Sequence, residues 1–372
     1  MHFVVTANTS FNIANYRSGL VKRLMSEGHR VTVVAPIDDY TDQVHRLNCG
    51  FREIKLSQKG QNPLRECLVI FQYWRILREL GPDAVFSFTA KSNLYAGIAA
   101  RFCRIASLPT VTGLGVAFYG GALRLAIVKF LYRIAFKRAT KVFFQNPEDR
   151  HQLLSFRLLS QQQAELVGGS GVDAEYFSPA PLPKYHKAKK SFLMITRLLR
   201  QKGVEEFCNA ARTLSAKHPH VEFRIAGAFD EGNPDSISPM ELEEFRRESN
   251  VKYLGHVRDV RPLISDATVV VLPSYYNEGT PRSLLEAGAM GRPLITTDHR
   301  GCRDTVLNNK SGLLIPPKCT DSLVLAMEKF IEMSHDEMEA IGRASHDFIV
   351  ANFSESDIID AYSFALMEAS ST

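Results

Sequence analysis

The sequence predicts an α/β protein built from two Rossmann-like αβα domains that face each other across a cleft. Three observations carry this expectation. Short β-branched runs alternate with helical patterns through the first half; the alternation restarts after a stretch rich in proline and lysine near residue 180; and 372 residues suit two domains at ~150 residues each. Strand, helix, strand in strict order implies parallel pairing, because parallel neighbours need a crossover long enough to hold a helix.

The first half yields its elements in turn. HFVVTA (2–7) alternates and branches like a strand, and 15–29 carries a helical apolar period that stops at Gly28. RVTVVAP (30–36) is the second strand, and FREIKL (51–56), DAVFSF (83–88), PTVTGL (109–114) and KVFFQN (141–146) continue the series, with helices between them. Residues 1–177 form the first domain on this reading. Residues 178–190, SPAPLPKYHKAKK, hold three prolines and no apolar period, the composition of an interdomain linker. The second domain, 191–353, follows with strands at 191–198, 221–227, 251–257, 267–274, 292–298 and 312–317, and with helices near 203–216 and 281–290. A last helix over 354–370 is expected to pack back on the first domain.

Composition and charge exclude several classes. Hydrophobic residues at 45% and charged residues at 23% exclude collagen-like, coiled-coil and disordered chains. The six cysteines form no CxxC pair, so neither a disulfide framework nor a zinc site is indicated, and a reducing compartment fits. Neither a signal peptide nor an apolar run of about 18 residues is present, which points to the cytosol. The net charge of +5 is uneven: residues 1–175 hold 22 Lys and Arg against 13 Asp and Glu. Between Asp83 and Glu148 no acid occurs at all, while nine Lys and Arg do, so an anionic partner is implied: phosphate, lipid headgroup or nucleic acid.

Open α/β sheets bind ligands at the carboxyl ends of their strands, so the chemistry is sought in the loops that follow them. Neither GxGxxG nor GxxxxGK[ST] occurs, which removes the main support for a dehydrogenase or an ATPase. The densest candidate is PSYYNEGTPRSLLEAGAMGRP (273–293), where a strand gives way to a helix at Gly279 and Pro281. A helix start there offers backbone N–H groups to phosphate, with Pro281 suited to the first turn and Glu278 and Glu286 flanking it. In TRLLRQKG (196–203), Arg197 and Lys202 have the chemistry of a diphosphate clamp, Arg as a planar fork and Lys as a point charge. His218 and His220 precede a strand without a third ligand, and Asp298, His299 and Arg303 follow one, where lining a cleft and bracing a loop are equally open.

The pair R-x4-K-G and E-x7-E, in that order and on strand-loop-helix units, resembles the retaining glycosyltransferases of family 4, which have the GT-B fold. SGVDAEYFSP (170–179) and VKYLGHVRD (251–259) resemble further landmarks of the family, and the resemblance covers nearly the whole chain. SFTAKSN (87–93), VTGLGVAF (111–118), FFQNPEDR (143–150) and GRPLITTDHRGCRDTV (291–306) resemble bacterial transferases that add a hexose or N-acetylhexosamine, N-acetylgalactosamine favoured, to polyprenyl-diphosphate-linked saccharides.

The resemblance implies roles. Arg197 and Lys202 bind the donor diphosphate; Gly279, Thr280, Pro281 and Arg282 line the phosphate and sugar; Glu286 holds the ribose and Glu278 the donor sugar. Val257 lies in the base-binding segment, and Asn15 stands near the place where relatives carry paired glycines. The region around Gly113 lacks the histidine that many relatives use. No DxD occurs, so the expectation is a UDP-sugar donor and no metal cofactor, with positive side chains and a helix N-terminus balancing the leaving diphosphate. No convincing nucleophile is evident, which favours front-face attack over a covalent intermediate, and the bond position and exact sugars are not legible.

The stretch 121–141 carries Arg124, Lys129, Arg133 and Lys137 beside Ile127, Leu131 and Ile134, a pattern suited to an anionic membrane interface. Lys91, at the end of a first-domain strand, is placed to meet acceptor phosphate. The leading expectation is therefore an enzyme held peripherally on the cytoplasmic face of the inner membrane, with a nucleotide sugar and a lipid-linked saccharide as partners. A transferase with a soluble acceptor is the alternative. A non-catalytic nucleic-acid-binding protein is the alternative of another class; it lacks aromatic stacking motifs and leaves Glu278 and Glu286 unexplained.

Overall fold

A computed structural model describes residues 1–56, 63–114, 118, 121–183, 190–230 and 232–370. Residues 115–117 of the VTGLGVAF segment and 184–189 of the expected linker lie outside that set. The chain forms two compact units, Met1–Gly171 with the last helix Glu355–Ser370, and Val172–Ser354.

The first unit is a seven-stranded sheet of β1 (His2–Thr6), β2 (Arg30–Ala35), β3 (Gly50–Glu53), β4 (Ala84–Phe88), β5 (Ala106–Val111), β6 (Val142–Phe144) and β7 (Ala164–Leu166). All pairs are parallel, in the order β3-β2-β1-β4-β5-β6-β7. Every residue of β1 is buried. Its side chains alternate between two cores, Val4 joining Val34 and Val85 on one face, Phe3 and Val5 joining Val33 and Phe86 on the other. Helices on both faces explain why the strand reads as a continuous apolar run.

The last helix belongs to this unit. Tyr362 is 1% exposed, its ring is 4.6 Å from that of Phe143, and its hydroxyl hydrogen-bonds Thr110 Oγ1 at 3.1 Å. The expected single helix over 15–29 is two helices, Ser10–Tyr16 and Ser18–Ser26, broken at Arg17. The Thr9 hydroxyl accepts from Asn12 N and starts the first of them five residues early, a local cap that the apolar period does not reveal. β5 begins at Ala106 and carries Pro109 inside it, three residues before the expected start, and β6 pairs with it only at Thr110 and Val111.

The second unit holds β8 (Ser191–Ile195), β9 (Glu222–Ala226), β10 (Val251–Tyr253), β11 (Val269–Leu272), β12 (Leu294–Thr297) and β13 (Gly312–Ile315). Its order is β10-β9-β8-β11-β12-β13, again parallel throughout. The division between the units falls at Gly171 rather than at 177, and the described ends of 178–190 do not behave as a linker. Phe177 and Leu182 are buried in the second core. The fully buried Arg292 donates to the carbonyls of Ala180 and Pro181 at 2.9 and 3.0 Å. Lys190 Nζ donates to the carbonyls of Phe330, Ile331 and Met333 and so caps the end of the helix Thr320–Glu332. Composition points to a linker; these hydrogen bonds tie Ala180, Pro181 and Lys190 to the second unit.

In each sheet the strand order reverses its progression at one place, between β1 and β4 in the first and between β8 and β11 in the second. Such switch points, at the carboxyl edge, are where open α/β sheets bind their ligands.

Candidate active site

The loop after β8 carries Arg197 and Lys202, and the loop after β11 carries residues 273–281. Adjacent strands therefore bring the two sequence motifs together, although about 75 residues separate them. Close approach of backbones fixes the junction. Gly203 has φ +81°, and a Cβ there would lie 2.3 Å from the Pro273 carbonyl oxygen; the Tyr275 N–H donates to Gln201 O at 2.8 Å. From the loop after β12, Gly301 at φ +72° presses on Gly279, where a Cβ would lie 2.1 Å from the carbonyl oxygen. Only glycine allows either contact.

Charged pairs occupy this junction. Lys202 Nζ forms an ion pair with Glu278 Oε1, each side chain 11% exposed. The Ser274 hydroxyl donates to the same carboxylate oxygen at 3.1 Å. The ring of Tyr276 lies 5.0 Å from Lys202 Nζ. Arg197 is half exposed and pairs with Asp230 at 2.7 Å. The expected clamp residues thus converge on one loop junction, and each has a carboxylate partner. The sequence reading assigned Lys202 to diphosphate and Glu278 to sugar; the structure joins them as one unit.

Beyond the turn, Pro281 is the N-cap rather than the first helical residue, and the helix runs Arg282–Ala289. Gly279, Thr280 and Pro281 are buried at its start. Arg282 Nε donates to Glu286 Oε1 at 3.0 Å, one turn on, with both side chains nearly buried. Burial pushes the Glu286 carboxyl above its ordinary value, and Arg282 opposes the shift only in part. Val257 lies half-buried in the loop after β10, which is tied to the loop after β9 by Gly227 N to Gly255 O at 2.8 Å and by the Tyr253 hydroxyl to Gly227 O at 2.8 Å. Among the described residues, no three His, Cys, Asp or Glu side chains are grouped to hold a metal ion.

The first unit treats its candidates differently. Asn15 Nδ2 donates to Phe11 O, four residues back in its own helix. Lys91 does not stand free for an acceptor: its ammonium pairs with Glu66 Oε1 at 2.8 Å, both partners mostly buried. The charge-free-of-acid stretch 84–147 gains that acid from the helix Pro63–Leu80 through tertiary contact. Thr89, at the end of β4, has φ +74°, a strained conformation for a branched residue.

The basic helix runs Ala122–Phe136, and its faces are not those expected. Leu131 and Ile134 pack on the core beside Tyr132, Ala135 and Phe136. The apolar residues turned outward are Leu123, Ile127 and Phe130, at 77%, 52% and 61% exposure, spaced by four and three residues on one helix face. Arg124, Arg133 and Lys137 are exposed, while Lys129 Nζ lies 3.5 Å over the Phe156 ring. Sequence reasoning overlooked Asp230, Ser274 and Tyr276; the last two stand inside the quoted segment 273–293, but only contacts reveal their work.

Two parallel Rossmann-like sheets, with a charged loop junction and a helix start at the second switch point, are the architecture of the GT-B glycosyltransferases. The family model for glycosyl transferases group 1 matches residues 181–347, and that for glycosyl transferase 4-like domains matches 3–146. The chain belongs to these glycosyltransferases, which sets aside the non-catalytic alternative. It is 29% identical over 341 residues, 88% of this chain and 87% of the relative, to the N,N'-diacetylbacillosaminyl-diphospho-undecaprenol α-1,3-N-acetylgalactosaminyltransferase of Campylobacter jejuni. It is 25% identical, over 78% of this chain and 76% of the relative, to the Escherichia coli UDP-Gal:α-D-GlcNAc-diphosphoundecaprenol α-1,3-galactosyltransferase. Its fold matches Anabaena HepE in complex with UDP and glucose, with a TM-score of 0.81 at 15% identity over 99% of this chain and 100% of that one.

Proposed function

We propose that the chain transfers a hexose or N-acetylhexosamine, N-acetylgalactosamine favoured, from a UDP-sugar to a polyprenyl-diphosphate-linked saccharide with retention of configuration. The names of the relatives from Campylobacter jejuni and Escherichia coli support the acceptor class. The observation that carries the site assignment is the buried Lys202–Glu278 pair beside the start of the helix Arg282–Ala289. As the bond from the sugar C1 to the diphosphate oxygen breaks, Arg197, Lys202 and the helix N-terminus balance the charge developing on the leaving group. Glu286 accepts from ribose hydroxyls and Glu278 from the donor sugar. The acceptor hydroxyl attacks C1 from the same face, and its proton passes to the departing phosphate oxygen. On this reading no divalent metal is required.

The acceptor's lipid is met by the helix Ala122–Phe136, whose outward Leu123, Ile127 and Phe130 enter the interface while Arg124, Arg133 and Lys137 meet anionic headgroups of the cytoplasmic leaflet. Among the described residues, no helix is long and apolar enough to cross a membrane. The test is a donor panel of UDP-Gal, UDP-GalNAc, UDP-Glc and UDP-GlcNAc, with a polyprenyl-diphosphate saccharide in vesicles, with and without EDTA. UDP release that needs the acceptor, survives EDTA and gives an α-linked product by NMR is expected. An inverted product, or turnover restored only by Mg²⁺ or Mn²⁺, overturns the corresponding part.

A further inference from the structure

We propose that the helix Pro63–Leu80 is a second membrane-contacting element of the first unit, with Leu68 and Phe71 entering the acyl boundary of an anionic leaflet and Trp74, Arg75 and Arg78 lying among its headgroups. The inference extends the membrane reading of Ala122–Phe136 above and rests on it. Val69, Tyr73, Ile76 and Leu77 supply the face of Pro63–Leu80 that the core takes. Leu68 and Phe71 stand outside that face, 59% and 55% exposed, and the exposed Arg75 and Arg78 continue their stripe at helical spacing. Trp74 is half-buried beside it, its ring stacked on Phe71 at 5.4 Å and covered by the Arg78 guanidinium at 5.3 Å. Such rings suit a membrane–water interface, being apolar in body and polar at one edge, and arginine carries its charge outward on an apolar stem.

Charge complementarity selects the occupant. Among its described residues, the helix exposes Arg65, Arg75 and Arg78 against one exposed acid, Glu79, which itself pairs with Arg52 at 3.4 Å; Glu66 is drawn inward to Lys91. An apolar stripe edged by positive charge fits an anionic lipid surface, which offers hydrocarbon and phosphate together. Folding puts this stripe in one layer with Ala122–Phe136, because both helices pack into the same core on one face of the seven-stranded sheet. Ala90–Cys103 joins them: Cys103 Sγ donates to Trp74 O at 3.8 Å, and Arg101 Nη1 donates to Ile134 O at 3.3 Å. Phe102, between those two contacts in the chain, is exposed as well. A single amphipathic helix meets a flat surface along one line and leaves the unit free to roll about it. A second line fixes the roll and binds at the high effective concentration that the first provides.

Trp74 is the only tryptophan of the chain, so its fluorescence reports on this helix. The wild-type protein is titrated with phosphatidylglycerol vesicles, with and without bromine near the headgroup end of the acyl chains, and with phosphatidylcholine vesicles. Co-sedimentation is measured in parallel for Leu68→Ser/Phe71→Ser and for Leu123→Ser/Ile127→Ser/Phe130→Ser, with melting temperatures recorded. On the anionic vesicles the bromine should quench Trp74, and Leu68→Ser/Phe71→Ser should bind at least about tenfold more weakly while melting with the wild type, since both side chains are exposed. Vesicle binding that leaves Trp74 unquenched, or a Leu68→Ser/Phe71→Ser variant that binds like the wild type, overturns the inference and leaves the docking of Ala122–Phe136 standing. A wild-type protein that binds neither kind of vesicle defeats the membrane reading itself and removes the inference with it. A dimer in solution that Leu68→Ser/Phe71→Ser dissociates, with Trp74 unquenched by lipid, assigns the stripe to a second copy of the chain and likewise overturns the proposal.

Discussion

Replacing Lys202 by Met separates the structural from the catalytic work of the Lys202–Glu278 pair. Both side chains are 11% exposed, so the substitution takes the ammonium partner from a nearly buried carboxylate while Ser274 still donates to it at 3.1 Å. Leaving one partner of a buried pair unmatched costs about 3–5 kcal/mol. At about 2–4 °C per kcal/mol for a domain of this size, the second unit should melt roughly 6–20 °C lower. The double variant Lys202→Met/Glu278→Leu removes both charges and should recover most of that stability, since apolar replacement of a whole buried pair is often neutral. Activity should not recover. Loss of a charge-assisted contact to diphosphate costs about 1.5–3 kcal/mol, or roughly 10–150-fold in UDP release, in the single and double variants alike. Calorimetric unfolding and the UDP-release assay read the two quantities independently. A Lys202→Met protein that melts with the wild type, or a double variant whose loss of stability is the sum of the singles, would refute the reasoning.

Three other perturbations test separate links. Glu286→Gln keeps an acceptor for Arg282 but removes the charge whose folded-state pKa lies above 4.5; a raised carboxyl favours the folded state below that value and costs stability as the pH rises through the folded pKa. The variant should therefore be no less stable at neutral pH while binding UDP more weakly, and it should lack the loss of UDP affinity expected of the wild type on acidification; an identical pH profile in both proteins speaks against Glu286 as the ribose acceptor. Gly203→Ala places a Cβ 2.3 Å from the Pro273 carbonyl at φ +81°, so it should cost at least about 1–2 kcal/mol and lower UDP affinity, both measurable by thermal shift; an unshifted melting curve contradicts the tight junction. Changing Leu123, Ile127 and Phe130 to Ser should weaken vesicle binding at every salt concentration, whereas Arg124, Arg133 and Lys137 to Gln should remove only the salt-sensitive part, about 1 kcal/mol per charge; co-sedimentation unaffected by either set means that this helix does not dock.

The two parallel αβα units are legible in the linear pattern, because the central strands are short, mostly apolar runs buried on both faces and the segments between them are long enough for a helix. The linear order also places Arg197, Lys202 and Glu278 in loops that follow strands and Glu286 in the next helix, the segments on which the proposed site is built. Some of what was missed had a local signature: the helix Pro239–Ser249 is announced by Ser238 and Glu241, which cap each other's backbone, and His335–Phe353 by Ser334 and Glu337 in the same way. Other features could be settled only by folding. Lys91 looks free in a stretch without acids until Glu66 reaches it from another helix, and Ala180, Pro181 and Lys190 read as linker residues until the hydrogen bonds of Arg292 and Lys190 tie them to the second unit. The outward face of Ala122–Phe136 is Leu123, Ile127 and Phe130 because neighbouring elements, not the helix's own period, choose which apolar residues the core takes. Pairings of Lys202 with Glu278 and of Arg197 with Asp230 join residues tens of positions apart, through strand order and glycine-sized gaps between backbones, and a charge's partner is set by distance in space, which a linear pattern does not contain.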